Sequence, residues 1–273
     1  MAAATRSLPR WMRVPRLGLA REAGLTLTLL LAAWLSLQLG PMVLALREAG
    51  PAAWLSMNGL GPLDLLALWA SLEALWRGAR AGELHAPAWA GPLCAGLLLL
   101  PSALVAAFAL VLMGCAAAWH SRAAARWGAI GMAGLGAIQL GRVLGEEALG
   151  ALTHLEAWAA YGPLSLLEPG LTLAGPVLRM PGGHGIAVLA GCSIAHLLPP
   201  ALLALVVMRG AASPQMPLAR PMLVLALALL ALNLLRLMLL AWSPLAYEWG
   251  HGVLGTNLFG LLCVAVLQAT ADD

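Results

Sequence analysis

From Pro221 to Trp242 the chain is apolar except for Asn233 and Arg236. Coiled at about 1.5 Å per residue, a run of this length matches the ~20 residues that cross the hydrocarbon of a bilayer. Similar runs recur over roughly 23–46, 58–76, 84–100, 102–119, 127–145, 191–208 and 252–269. With 220–242 they make about eight spans and predict an all-α polytopic integral membrane protein. Composition agrees: 62% of residues are apolar and only 10% are charged. A soluble domain carries about 25% charge, so this chain has too few polar groups to solvate a surface of its size.

All fifteen basic residues are arginine, and their placement sets an expected orientation. Arg6, Arg10, Arg13, Arg16 and Arg21 precede the apolar run Ala23–Leu46. That run exceeds the hydrophobic region of a signal peptide, and no small-residue cleavage site follows, so it reads as an uncleaved first helix. The expected organisation is a cytoplasmic Arg-rich segment, 1–22, and a single transmembrane domain, 23–273. Segment 84–119 is short for two passes and carries Pro92 and Pro101. As a single pass it puts Arg77/Arg80 and Arg122/Arg126 on opposite sides. As a hairpin it lets the N-terminal arginines, both pairs, Arg209 and Arg220 share the cytoplasmic side, as short Arg-rich loops do. The hairpin is therefore the preferred reading, in a bacterial cytoplasmic membrane.

The long segment 146–190 is expected on the extracytoplasmic face. It opens with Glu146 and Glu147 and an amphipathic stretch to about Tyr161, then becomes dense in Gly and Pro. That density forbids a spanning helix. Leu171–Ala174, Val177–Met180 and Ile186–Leu189 read as short strands or hairpins.

Several classes of chemistry are absent. Net charge is +3 and dispersed, which gives no argument for nucleic-acid binding. Four cysteines without paired spacing define neither a disulfide framework nor a zinc ribbon. The six histidines are scattered, with no His-Glu-x-x-His. Gly131-x-x-Gly134-x-Gly136 lies in an apolar helix and reads as close helix packing rather than a phosphate loop. No cofactor is expected.

An ionisable residue within lipid needs a reason. Counted from Pro221, Arg236 sits roughly 22 Å along its helix, in the outer third. Cys192 follows Gly191 at the outer start of 191–208, at a helix beginning whose free N–H groups favour a thiolate. His251, between Gly250 and Gly252, opens the last span. The three are expected at one depth on one face. A thiol to attack a carbonyl, an imidazole to move the proton and a guanidinium to hold the oxyanion are the parts of an acyl-transfer site. Snorkelling to headgroups is the bland alternative for Arg236, and a surface position for His251. Cys94, Cys115 and Cys263 read as small core residues.

Gly191-Cys192-Ser193, after the apolar Ile186–Ala190, resembles the nucleophile motif of the exosortase/archaeosortase family. Asn233-Leu234-Leu235-Arg236 is similar to its Asn-x-x-Arg motif, and His251-Gly252-Val253-Leu254-Gly255 to its His-x-x-x-Gly motif. The resemblance covers roughly 160–260, and order and spacing fit. Ile194 departs from it, where the family usually has Gly. The resemblance implies a membrane cysteine transpeptidase with Cys192 as nucleophile, Arg236 as oxyanion or substrate-positioning cation and His251 as acid/base. Its clients would be exported proteins ending in a short motif, a hydrophobic helix and a basic tail, passed through a thioester to an acceptor in the envelope.

The neighbouring residues keep alternatives. His196, four residues after Cys192, is either a second candidate base or packing beside Pro199-Pro200. Asn233 either orients Arg236 or makes an interhelical hydrogen bond. Ser193 supports the nucleophile motif. Glu248 either pairs with Arg236 or His251 or faces water, and His184 reads as a loop residue. Arg142 and Glu146 have the spacing of a helix ion pair. Asp64 and Glu73 read as solvated helix-end groups. A transporter or envelope-assembly subunit is the non-enzymatic alternative, and Glu146-Glu147 prompts a glutamic intramembrane protease as a third.

Overall fold

The computed structural model describes residues 17–49, 61–100, 102–213, 215 and 217–272. The protein is about 80% helical. The helices are α1 (Leu17–Ala49), α2 (Pro62–Arg80), α3 (Ala90–Leu98), α4 (Ala103–His120), α5 (Ala123–Leu144), α6 (Glu146–Leu167), α7 (Ile194–Ala212), α8 (Ala219–Trp242), α9 (Pro244–His251) and α10 (Val253–Asp272). Strands β1 (Thr172–Ala174), β2 (Val177–Arg179) and β3 (Gly185–Ala187) lie between α6 and α7. Segments of α1, α4, α7, α8 and α10 are long and apolar enough to cross a membrane. The arginines Arg6, Arg10, Arg13 and Arg16 lie outside the described residues.

Helices α2 and α5 pack against each other, and Asp64 and Ser71 of α2 are buried. Their close approach comes from small residues. A Cβ at Gly128 would sit 2.6 Å from both Leu75 N and Ser71 O, and one at Gly131 would strike the Ser71 side chain. Gly134 faces Leu203 of α7, and Gly136 faces Ala107 O of α4 at 2.8 Å from such a Cβ. The glycine run is thus a packing stripe toward three neighbours. Backbones brought this close gain van der Waals contact along the whole stripe.

Three expectations change. The segment 84–100 contains a helix of nine residues, α3, which spans only about 14 Å. Hydropathy alone did not distinguish apolar from helical: Pro87 and Pro92 bracket the helix start, and residues 83–87 are not helical. The return geometry nevertheless holds. Arg122 N donates to Glu83 O at 3.2 Å, and Ser121 Oγ donates to His85 O at 3.0 Å. Gly78 also abuts Ala125. Arg77/Arg80 and Arg122/Arg126 therefore lie at the same end of the bundle. Arg209 joins them, because α7 closes against α5 through Gly210 and Trp127 and Arg209 donates to Thr270 O and Ala271 O.

Cys115 is exposed, whereas Cys94 and Cys263 are buried. An apolar neighbourhood in sequence does not separate a face toward other helices from a face turned outward. Asp64 is not a solvated helix-end group. It is buried, accepts from Gly61 N at 3.1 Å and pairs with Arg142 at 3.1 Å. Arg142 also donates to His196 O at 3.1 Å. Glu73 pairs with Arg77 on an exposed face. The side chains of Glu146 and Glu147 lie outside the described residues, so neither the Arg142–Glu146 pair nor the glutamic-protease alternative meets an observation.

Candidate active site

The three strands form an antiparallel meander in the order β1-β2-β3. Leu178 pairs with Leu173 and Ile186, so apolar side chains share one face. Leu178, Ile186 and Val188 pack with Ala157, Ala160 and Leu164 of α6 and with Leu237, Leu240 and Ala241 of α8. Gly175, at φ +60°, supplies the left-handed residue of the β1–β2 turn. His184, in the β2–β3 loop, bonds through Nε2 to Leu240 O at 3.0 Å and ties the sheet to the end of α8. The chain leaves β3 and enters a single 3-10 turn, Ala190–Cys192. The sheet thereby sets where the Cys192 thiol is held.

Helix α7 begins at Ile194, not at Cys192. Ser193 is its N-cap, accepting from Ala195 N at 3.1 Å. The first N–H of the helix does not point at the thiol. Ile194 N donates to both oxygens of Glu156, at 3.0 and 3.1 Å. Ser193 Oγ donates to the same carboxyl group. Asn233 Nδ2 reaches it from α8 at 2.9 Å and also donates to the Cys192 carbonyl at 3.1 Å. Glu156 is 3% exposed, and Ser193 and Asn233 are fully buried. The positive end of α7 is thus matched by a carboxylate from α6. Asn233 acts between helices and on the backbone of the cysteine turn.

Cys192 Sγ lies 3.7 Å from His251 Nε2. His251 closes α9 rather than opening the last span, and Gly252 separates it from α10. Its ring stacks on Tyr247 with centroids 5.0 Å apart and planes at 28°. Tyr247 in turn meets His184 edge-on at 5.9 Å. Gly255 permits this corner, because a Cβ there would strike Trp249 O and come within 2.6 Å of Gly250 Cα.

Arg236 completes the group. Its Nη2 donates to Gly250 O at 3.4 Å, one residue before the imidazole. Its guanidinium lies 4.7 Å from the Phe259 ring centroid and within electrostatic reach of Cys192 and Cys263. The Nε of Arg236 is buried with no hydrogen-bond partner among the described residues, so the fork retains donor capacity. Glu248 is exposed, and His196 is half-buried on α7.

Cys192, Arg236 and His251 therefore come together, with Asn233 and Ser193 beneath them. Glu156 is the residue that sequence reasoning passed over. Its signal was periodic: Thr153, Glu156, Ala157, Ala160 and Leu164 recur at helical spacing on one buried face. A lone acid on such a stripe requires partners. No group of His, Cys, Asp and Glu among the described residues is arranged to hold a metal ion. No protein-family profile, curated protein or solved structure matches the chain.

Proposed function

We propose that this protein is an exosortase-like cysteine peptidase or transpeptidase of a bacterial cytoplasmic membrane. The observation that carries the reading is the 3.7 Å approach of Cys192 Sγ to His251 Nε2, beside a half-buried Arg236. In this reading His251 takes the thiol proton and the thiolate attacks the scissile carbonyl. The Arg236 guanidinium stabilises the oxyanion. Collapse expels the amine, which leaves with the proton from His251, and a thioester remains on Cys192. Water or an envelope nucleophile, deprotonated by His251, then releases the acyl group and restores the thiol. Asn233 and Ser193 hold the turn, and His196, whose backbone carbonyl binds Arg142, has a structural part.

The clients would be exported proteins with a C-terminal motif, an apolar helix and a basic tail. The crossings include α1, α4, α7, α8 and α10, and the short α3 turns the chain back through α4 toward the arginine-rich end without crossing by itself. The arginine-rich end faces the cytoplasm, and the cysteine end faces outward, where a client helix arrives laterally through the bilayer. Asp64 is tied to Arg142 and gives the transporter alternative no free intramembrane charge.

The test is cleavage of a reporter carrying such a signal. Cys192→Ala should abolish processing and formation of a hydroxylamine-sensitive adduct. Cys94→Ala, Cys115→Ala and Cys263→Ala should retain both. Unchanged processing by Cys192→Ala rejects the proposal.

A further inference from the structure

Four donor contacts converge on Glu156. They come from Ser193 Oγ, from Asn233 Nδ2 and from Ile194 N to each carboxyl oxygen. Ser193 Oγ also accepts from Ala195 N at 3.1 Å. A carboxyl group offers acceptor sites on both oxygens and fits this surround, whereas an amide replaces one of them with a donor. The same asparagine nitrogen holds the Cys192 carbonyl at 3.1 Å. One buried carboxyl group thus joins α6, the start of α7 and α8 around the two residues that follow and support the thiol.

We infer that Glu156, through its carboxyl group, is a positioning residue of the Cys192 site, fixing the 190–193 turn so that the thiol stays against His251. It touches no reacting atom. Ser193, fully buried, is its ligand and not a competing nucleophile. The inference rests on the cysteine–histidine reading above and adds the part of the molecule that holds the pair in register. Replacing the carboxyl group by an amide frees the turn. The thiol then loses its imidazole even though neither reacting residue has changed.

The test needs no client. The full chain in detergent is treated with iodoacetamide, and alkylation of Cys192 is followed by peptide mass spectrometry. His251→Ala should slow it by at least roughly tenfold at neutral pH, as loss of a proton acceptor does. Glu156→Gln should slow it by a similar factor, and the double variant should be no slower than the slower single one. Such non-additivity is the mark of residues acting through one contact, and a general loss of stability does not produce it. Glu156→Asp keeps the carboxyl group but withdraws it by one methylene. It too should be slowed, and it serves if the Gln variant does not fold. A wild-type rate in folded Glu156→Gln or Glu156→Asp, or additive effects with His251→Ala, overturns the inference alone. A wild-type rate in His251→Ala overturns the cysteine–histidine reading and this inference with it.

Discussion

The Arg236 guanidinium lies 4.7 Å from the centre of the Phe259 ring while its Nη2 donates to the Gly250 carbonyl at 3.4 Å. A flat cation held between a ring and a carbonyl is a geometry that a lysine ammonium does not reproduce. Arg236→Lys is therefore expected to behave nearly as Arg236→Leu, with turnover down about 10²–10³-fold, the range for loss of an oxyanion donor. Phe259→Leu, which removes only the ring, should cost roughly tenfold. Single-turnover cleavage by purified variants checks the series, and a fully active Arg236→Lys removes the oxyanion role.

Gly255 faces the backbone of Trp249 and Gly250 with no room for a methyl group. Backbone atoms cannot swing aside as a flexible side chain can, so Gly255→Ala should displace the α9–α10 corner and with it His251. The expected result is roughly a tenfold loss of turnover or more, with Cys192 still accessible to labelling. Gly162, where a Cβ meets nothing, is the control position. Equal activity of both alanine variants would contradict this account of the corner.

Burial raises the Glu156 carboxyl above the usual glutamate range, outweighing the lowering by the Ser193, Ile194 and Asn233 hydrogen bonds. A carboxyl with a raised folded-state pKa holds its proton more tightly in the native protein than in the unfolded chain. Its contribution to stability is complete below the unfolded value and is lost as pH rises through the folded one. The wild type should therefore gain melting temperature relative to Glu156→Gln as pH is lowered from roughly 8 to 5. Parallel curves for the two proteins would show that Glu156 does not titrate differently on folding.

The Asp64–Arg142 pair joins the start of α2 to the end of α5, with side-chain exposures of 4% and 14%. Deleting one partner strands the other charge, so Asp64→Ala should destabilise by about 3–5 kcal/mol. Asp64→Ala combined with Arg142→Leu should recover most of that loss, because both charges leave together. Thermal unfolding of the detergent-solubilised protein measures both. A double variant no better than Asp64→Ala would argue that Arg142 matters chiefly through the His196 carbonyl.

What was legible in the sequence followed from local pattern. The apolar runs marked α1, α4, α7, α8 and α10 because each is a continuous stretch with few charges. The glycine spacing of α5 signalled close packing, since only helical periodicity aligns those residues. Cys192, Arg236 and His251 stood out by their expected depth and then by three short motifs in order, and Cys192 Sγ does lie 3.7 Å from His251 Nε2. The missed features depend on partners remote in the chain. Glu156 draws its meaning from Ser193 and Asn233, 37 and 77 positions away. Asp64 does so from Arg142, 78 positions away. The nine-residue length of α3 was hidden because hydropathy registers side chains and not backbone form.

The Cys192 turn is braced by Glu156 from an earlier helix, and the thiol meets His251 59 residues later. Ribosomes deliver these parts in sequence, with Asn233 and then His251 emerging after the cysteine. A nascent polypeptide halted between α7 and α9 has the sulfur but lacks its imidazole. In the proposed reading, reactivity is therefore switched on by completion of membrane insertion, and unfinished chains stay inert toward passing substrates.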